Sequence, residues 1–272
     1  MYARSGSAGG ASVNPEALYE ALIADIPQDL RVLEAFAGSS HSIVVTEDGI
    51  GTVMTLEATG QSPILPADLK GLLLRDVARA ILSWNATDAA LGGAALNAYY
   101  NSPAVLRKHF GYEIQAAATE PTTTADPFTR YVALARGKQV ASIGHFASVE
   151  RHIAPVAATL TIIEEHPRNG DYPAAAAEFI LPRMDMVFIT GSTLANKTLP
   201  RLLELSQHAF VVLVGPSTCM APLLFSYGVR VLSGTLYTDR EGCLSLVRQG
   251  LHGKMVYHGQ KLSFEKECNE YV

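Results

Sequence analysis

Five short runs in the C-terminal half of the chain restrict its fold more than any other feature. Gln139–Gly144 (QVASIG), Leu160–Glu164 (LTIIE), Met186–Thr190 (MVFIT), Phe210–Gly215 (FVVLVG) and Arg230–Ser233 (RVLS) are apolar almost without interruption. A strand with one wet face alternates apolar and polar residues, whereas a strand covered on both faces does not. Helix-like segments at Ser148–Ala154, Pro173–Leu181, Leu199–Ser206 and Cys219–Tyr227 separate the runs. This alternation predicts a parallel sheet with helices on both faces and right-handed crossovers. Asp239–Gln249 adds another helix, and Lys254–Phe264 either forms strand or returns to the first half.

The N-terminal half has a different rhythm. Asn14 and Pro15 suit the N-cap and first position of a helix, with Leu18, Leu22, Ile23 and Ile26 as its apolar stripe and Pro27 as its stop. Three β-rich runs follow, Arg31–Ala37, Ser42–Thr46 and Gly51–Leu56, the last two joined by Glu47-Asp48-Gly49, whose Asp-Gly is a strong hairpin signal. Helical runs at Leu72–Ser83 and Thr87–Tyr100 complete an α+β pattern. Residues 102–125 lose periodicity, and Glu120–Thr124 reads as a linker. The chain thus divides into a small, polar, flexible leader (1–13), an α+β domain (14–118) and a Rossmann-like α/β domain (126–272).

Charge and cysteine usage narrow the partners. Lys+Arg 21 against Asp+Glu 26 gives a net charge of −5 with no basic run, which argues against nucleic acid or an anionic membrane surface. No stretch reaches the roughly 18–20 uninterrupted apolar residues of a membrane span. Cys219, Cys243 and Cys268 are sparse, odd in number and free of C-x-x-C spacing, the usage of a reducing compartment. With no signal-peptide pattern at Met1-Tyr2-Ala3-Arg4, the expectation is a cytoplasmic protein.

In an open parallel sheet, ligands bind outside the carboxyl ends of the strands. The loops at Gly144-His145-Phe146, Glu164–Pro167, Thr190–Thr193 and Gly215–Thr218 therefore carry the candidate chemistry, followed by Gly234-Thr235. Each also has a plain reading, in which Gly makes a turn and Ser or Thr caps the next helix. G-x-G-x-x-G, the P-loop, G-x-S-x-G and H-E-x-x-H are all missing. His145, Glu164, Glu165 and His166 stand at two strand ends that a divalent transition metal could bridge; a capped core histidine and solvated glutamates are the alternative. Cys219 opens a helix that could lower its thiol pKa, or is a small buried hydrophobe. His152, His208, His252 and His258 read as surface residues. Gly92 and Gly93 lie inside a helix, where close packing is the preferred reading. Asn97 and Asn101, one turn apart, could face an interdomain cleft that Gly38-Ser39-Ser40-His41 helps to wall.

The ordered set GHF at Gly144–Phe146, EEHPRNGD at Glu164–Asp171, LPRMDMVFITGSTLANKT at Leu181–Thr198, GPST at Gly215–Thr218 and SGTLYTD at Ser233–Asp239 resembles a family of uncharacterised prokaryotic proteins described as a heavy-metal chelation domain. LGGAALNAYYN at Leu91–Asn101 resembles the signature helix of that family's leader domain, itself similar to the N-terminal capping domain of enolase. The resemblance spans residues 14–250 and implies an enolase-N-terminal-like domain packed on a Rossmann-like domain. It further implies a site between them made of Asn97, His145, Glu164, Thr190, Gly191, Asn196, Thr198, Pro216, Ser217, Thr218 and Asp239. Ser40-His41 departs from the family pattern of an aromatic followed by Thr, which leaves the leader's share of the site open or makes His41 an extra ligand. No barrel follows, so enolase chemistry is not implied.

The expectation is a protein that binds a small anionic ligand or metal chelate in the interdomain cleft. In it, amides of Gly191 and Ser217-Thr218 hold the anion, His145 and Glu164 ligate metal or move a proton, and Asn196 and Thr198 orient the ligand. The alternatives are an enzyme using Glu164 or His145 as general base and a non-catalytic nucleotide-binding module. A homodimer is compatible with the composition.

Overall fold

The computed structural model describes residues 14–57, 61–113, 126–251, 255 and 257–266. The leader, the Glu120–Thr124 linker, His252 and Cys268 lie outside the described residues. The chain is a mixed α/β fold with a large, mostly parallel sheet and a smaller antiparallel one.

Helix α1 (Pro15–Ala24) starts where Asn14 accepts the Glu16 amide, with Pro15 as first residue, and buries Leu18, Tyr19, Leu22 and Ile23. Strands β1 (Glu34–Ala37), β2 (His41–Val45) and β3 (Ile50–Met54) form an antiparallel meander, and Val45 pairs with Ile50 across the Asp-Gly turn. The helix expected over Leu72–Ser83 is α2 (Leu74–Arg79) tightened into a 3₁₀ turn at Ala80–Leu82. Helix α3 (Ala86–Tyr100) is buried at every position except Thr87. The stretch expected to lose structure after Asn101 instead holds α4 (Pro103–Phe110). Ser102 caps it, Pro103 opens it and Gly111 closes it in the left-handed conformation.

After α5 (Pro127–Arg130) and α6 (Val132–Ala135) the alternating half begins. In chain order it runs β4 (Gln139–Ile143), α7 (Ala147–His152), β5 (Thr159–Glu164), β6 (Tyr172–Pro173), α8 (Ala177–Ile180), β7 (Met186–Thr190), α9 (Ser192–Ala195), α10 (Leu199–Leu205), β8 (Phe210–Val214), β9 (Val229–Tyr237), α11 (Arg240–Arg248) and β10 (Gly259–Glu265). The sheet order is β10-β9-β8-β7-β4-β5-β6, parallel throughout except for β10. The strand order reverses between β4 and β7, so the loops after these strands diverge to opposite faces. The helix expected over Cys219–Tyr227 is instead a 3₁₀ segment, Pro222–Tyr227. The one expected over Pro173–Leu181 breaks into 3₁₀ turns around α8.

The two halves share one core. Leu22, Leu96 and Tyr100 belong to the same buried cluster as Val187, Leu213 and Leu232. A second cluster of Phe128, Val140, Phe188 and Val212 lies on the opposite face of the large sheet. At roughly 1.5–3 kcal/mol per buried large apolar side chain, these clusters dominate cohesion. The small sheet lies between two helices: α3 covers one face, and α11 covers the other by packing Cys243, Leu244 and Val247 against Ile43, Val45 and Ile50. Among the described residues no helix is long and apolar enough to cross a membrane.

Candidate functional site

Gly144 and Gly215, with φ of 104° and 100°, end β4 and β8 in a conformation that disfavours a side chain. Their turns bring His145–Ser148 and Pro216 to the carboxyl edge of the sheet. There, with Ser233–Thr235 of β9, Lys261 of β10 and Asp126–Phe128 at the start of α5, they line a cavity of about 380 Å³. All of these residues belong to the C-terminal half. Asp126 caps α5 through the Phe128 amide at 3.2 Å and takes the Ser148 hydroxyl at 2.8 Å. Tyr131, just beyond α5, donates to Glu265 at 2.6 Å and ties this segment to β10. Ser233 shares a hydroxyl contact with Ser263 at 2.9 Å. The floor is aromatic, with Phe128 and Phe146 ring centroids 5.3 Å apart.

His145 is held from three sides. Its amide donates to Glu164 at 2.7 Å, Nδ1 lies 2.9 Å from Asp171, and Nε2 lies 3.2 Å from Glu150. The hydrogen bond to Asp171 raises the His145 pKa; burial opposes this and Glu150 adds to it. Burial pushes the Asp171 carboxyl up, but the His145 hydrogen bond and the Arg168 amide outweigh it and leave it lowered. The Glu164 carboxylate is committed to the amides of His145 and Glu165 and does not approach the imidazole nitrogens as a second ligand would.

The other expected site residues divide into separate groups. Asn97 is buried on α3, and its Nδ2 donates to the carbonyls of Thr52 (2.8 Å) and Ser217 (3.1 Å). Asn101 donates to Thr218 O at 2.9 Å and accepts the Met220 amide at 2.9 Å. Ser217 Oγ accepts the Met54 amide at 3.0 Å, and the amides of Gly191 and Thr218 are bonded to Val214 and Gly215. These groups join the two halves, and the Gly191 and Thr218 amides expected to hold an anion serve carbonyls of the chain itself. Of the expected set, His145 and Pro216 line the cavity, and Glu164 supports it from behind.

Thr190 bonds its hydroxyl to Ser192 at 3.0 Å. Asn196 accepts the Thr198 amide and hydroxyl in the turn after α9, where Lys197 has φ 69° and its ammonium sits 5.0 Å from the Trp84 ring centre. Asp239 caps α11 through Gly242 and pairs with His258 at 2.7 Å. Both contacts lower its pKa, the Gly242 amide more. His41 is buried in β2. Asp126, Ser148, Asp171 and Lys261 were missed from sequence. Asp171 sat inside the EEHPRNGD motif, and Asp126-Pro127 had the form of a helix cap.

Metal donors are scarce in this arrangement. Among the described residues no group of three or more His, Cys, Asp or Glu side chains is placed to hold a metal ion. In place of the expected pairing of His145 with Glu164, both imidazole nitrogens face other carboxylates while Glu164 serves backbone amides. A soft heavy metal prefers thiolate. Cys219 and Cys243 are buried, and burial pushes both thiols up, that of Cys243 to about 12.

Residues 126–265 match the model of the DUF364 family, described as "Putative heavy-metal chelation", and residues 19–100 match DUF4213, with the same description. An uncharacterized protein of Methanocaldococcus jannaschii is 25% identical over 258 residues, covering 90% of this chain and 93% of its own length. A DUF364 protein of unknown function from Desulfitobacterium hafniense DCB-2 superposes with a TM-score of 0.83 at 39% identity, covering 92% of this chain and 98% of that one. A DUF364 protein from Pyrococcus horikoshii shares the fold, with a TM-score of 0.71 at 20% identity over 93% and 98% of the two chains. With a matching family model over more than half its length, the chain belongs to the DUF364 family.

Proposed function

We propose that the protein binds a small ligand bearing carboxylate or phosphate, free or as the chelate of a divalent transition metal. The site is the cavity at the carboxyl edge of the large sheet. In this reading residues 126–272 are a Rossmann-like module, and residues 14–118 are an enolase-N-terminal-like module that braces it. One observation carries the proposal: Lys261, His145, Ser148, Ser233 and Thr235 line one concave space. Concave sites with an apolar floor and few polar groups are where proteins hold small molecules. The donor geometry at His145 and Glu164 favours a metal arriving with its chelator over a bare ion.

The dinucleotide alternative is disfavoured by Phe146. A Cβ on Gly144 would stand 2.9 Å from the Phe146 ring, so the ring covers backbone that a pyrophosphate would approach. The enzyme alternative gains from the His145–Asp171 pair. A carboxylate on Nδ1 orients an imidazole for proton transfer at Nε2, and Glu150 on that side is an exposed, displaceable partner.

The test is calorimetric titration with citrate and with inorganic phosphate, each alone and with Zn²⁺, beside elemental mass spectrometry of the purified protein. Binding of citrate, phosphate or the zinc–citrate complex that weakens at least tenfold in Lys261→Gln supports the proposal. About one tightly held metal per chain that is lost in His145→Ala, with no binding of either anion, overturns it.

A further inference from the structure

The charges around the cavity suit a ligand carrying both signs better than one carrying negative charge alone. Three lining side chains can carry charge: Asp126, His145 and Lys261. His145 already faces Asp171 and Glu150, so any positive charge on its ring is opposed from both nitrogens. The Lys261 ammonium has no hydrogen-bond or ion-pair partner among the described residues and is free to meet a carboxylate. Asp126 is the opposite case, a carboxylate held in the wall by the Ser148 hydroxyl and the Phe128 amide, with acceptor capacity left over. A ligand carrying only negative charge would gain from Lys261 and be repelled by Asp126. Among the described residues no arginine lines the space to tip that balance.

Asp126 and Lys261 come from different walls, α5 and β10, with the Phe128 and Phe146 rings forming the floor. We infer that the natural ligand is a zwitterionic amino-carboxylate with an apolar body, its amine meeting Asp126, its carboxylate meeting Lys261 and its body lying on the two phenylalanines. The inference rests on the cavity being the ligand site. It narrows that site to a compound with both an amine and a carboxylate, a donor pair that also chelates divalent metals. About 380 Å³ accommodates a free amino acid with a large side chain.

Isothermal titration of the full chain with L-phenylalanine, 3-phenylpropionate and 2-phenylethylamine separates the parts, since the last two each lack one charged group. L-phenylalanine is expected to bind at least tenfold more tightly than either, the scale of one lost charge-assisted hydrogen bond. Asp126→Asn, which keeps the cap geometry, should remove the preference over 3-phenylpropionate. Lys261→Gln should remove the preference over 2-phenylethylamine. Equal binding of L-phenylalanine and 3-phenylpropionate, both weakened by Lys261→Gln, refutes the zwitterion and leaves the carboxylate site standing. No binding of any of the three compounds by folded wild type, together with no binding of citrate or phosphate, overturns both.

Discussion

Gly92 and Gly93 are adjacent in α3, yet alanine should be costly at the first and nearly neutral at the second. A Cβ on Gly92 would lie 2.7 Å from both the Ala80 carbonyl carbon and the Ile81 Cα, and closer still to the Ile81 nitrogen. These are backbone atoms of the 3₁₀ turn. Ordinary carbon contacts lie near 3.5–4.0 Å, so α3 must retreat by about 1 Å or the turn must move. Overpacking of this kind costs about 1–3 kcal/mol, and a backbone obstacle puts it at the upper end. Relief of the helix-interior glycine returns about 1 kcal/mol. The net expectation for Gly92→Ala is about 2 kcal/mol of destabilisation. At Gly93 the added carbon meets only side chains, Val53 Cγ2 at 3.1 Å and Ala195 Cβ at 3.4 Å. The same propensity gain then offsets a small steric cost, leaving Gly93→Ala within about 0.5 kcal/mol of wild type. Urea unfolding followed by far-UV circular dichroism reads both. With a slope near 3 kcal/mol/M, the Gly92→Ala midpoint falls by roughly 0.7 M. A Gly92→Ala midpoint equal to wild type, or one matched by Gly93→Ala, refutes the packing argument.

Two further expectations concern the polar groups. The raised pKa of His145 means that its stabilisation is complete below the ordinary value of 6.5 and is lost as pH rises through the folded value. The lowered pKa of Asp171 means that its share is present above 3.8 and is lost as pH falls through its folded value. The melting-temperature gap between wild type and His145→Gln should therefore be widest between about pH 4 and 6.5 and close at alkaline pH, and a pH-independent gap contradicts the ion pair. Asn101→Ala strips partners from the Thr218 carbonyl and the Met220 amide, at about 1–3 kcal/mol for each buried group. Amide exchange at Met220 should accelerate well beyond that of the β8 amides, and unchanged protection there would rule out the clamp.

The strands were legible because burial on both faces leaves an unmistakable pattern. The apolar run Met186–Thr190 coincides with β7, and the four other runs lie within their strands or reach one residue past them, although β9 extends to Tyr237. What escaped has local causes. Strand β6 is two residues long and exposed, too short to show any period. Helix α4 was hidden by weak apolar content, although Ser102, Pro103 and Gly111 signalled its ends. The family motifs led to His145, Pro216 and Glu164, but GPST at Gly215–Thr218 serves two ends. Pro216 faces the cavity while Ser217 and Thr218 bond to β3 and α3. Nothing in a linear motif separates those tasks, because the distinction depends on which neighbour the fold supplies. Lys261 lay outside every motif and was beyond sequence reasoning.

The burial of the small sheet by α11 has a consequence for synthesis on the ribosome. Ile43, Val45 and Ile50 are translated early, while Cys243, Leu244 and Val247, which cover them, emerge about two hundred residues later. At roughly 5–20 residues per second the nascent meander waits on the order of ten to forty seconds with one apolar face open. Until α11 arrives, that face is a target for chaperones and a point of vulnerability to premature association. A ribosome stalled before residue 240 would leave a chain that cannot close its first-made sheet.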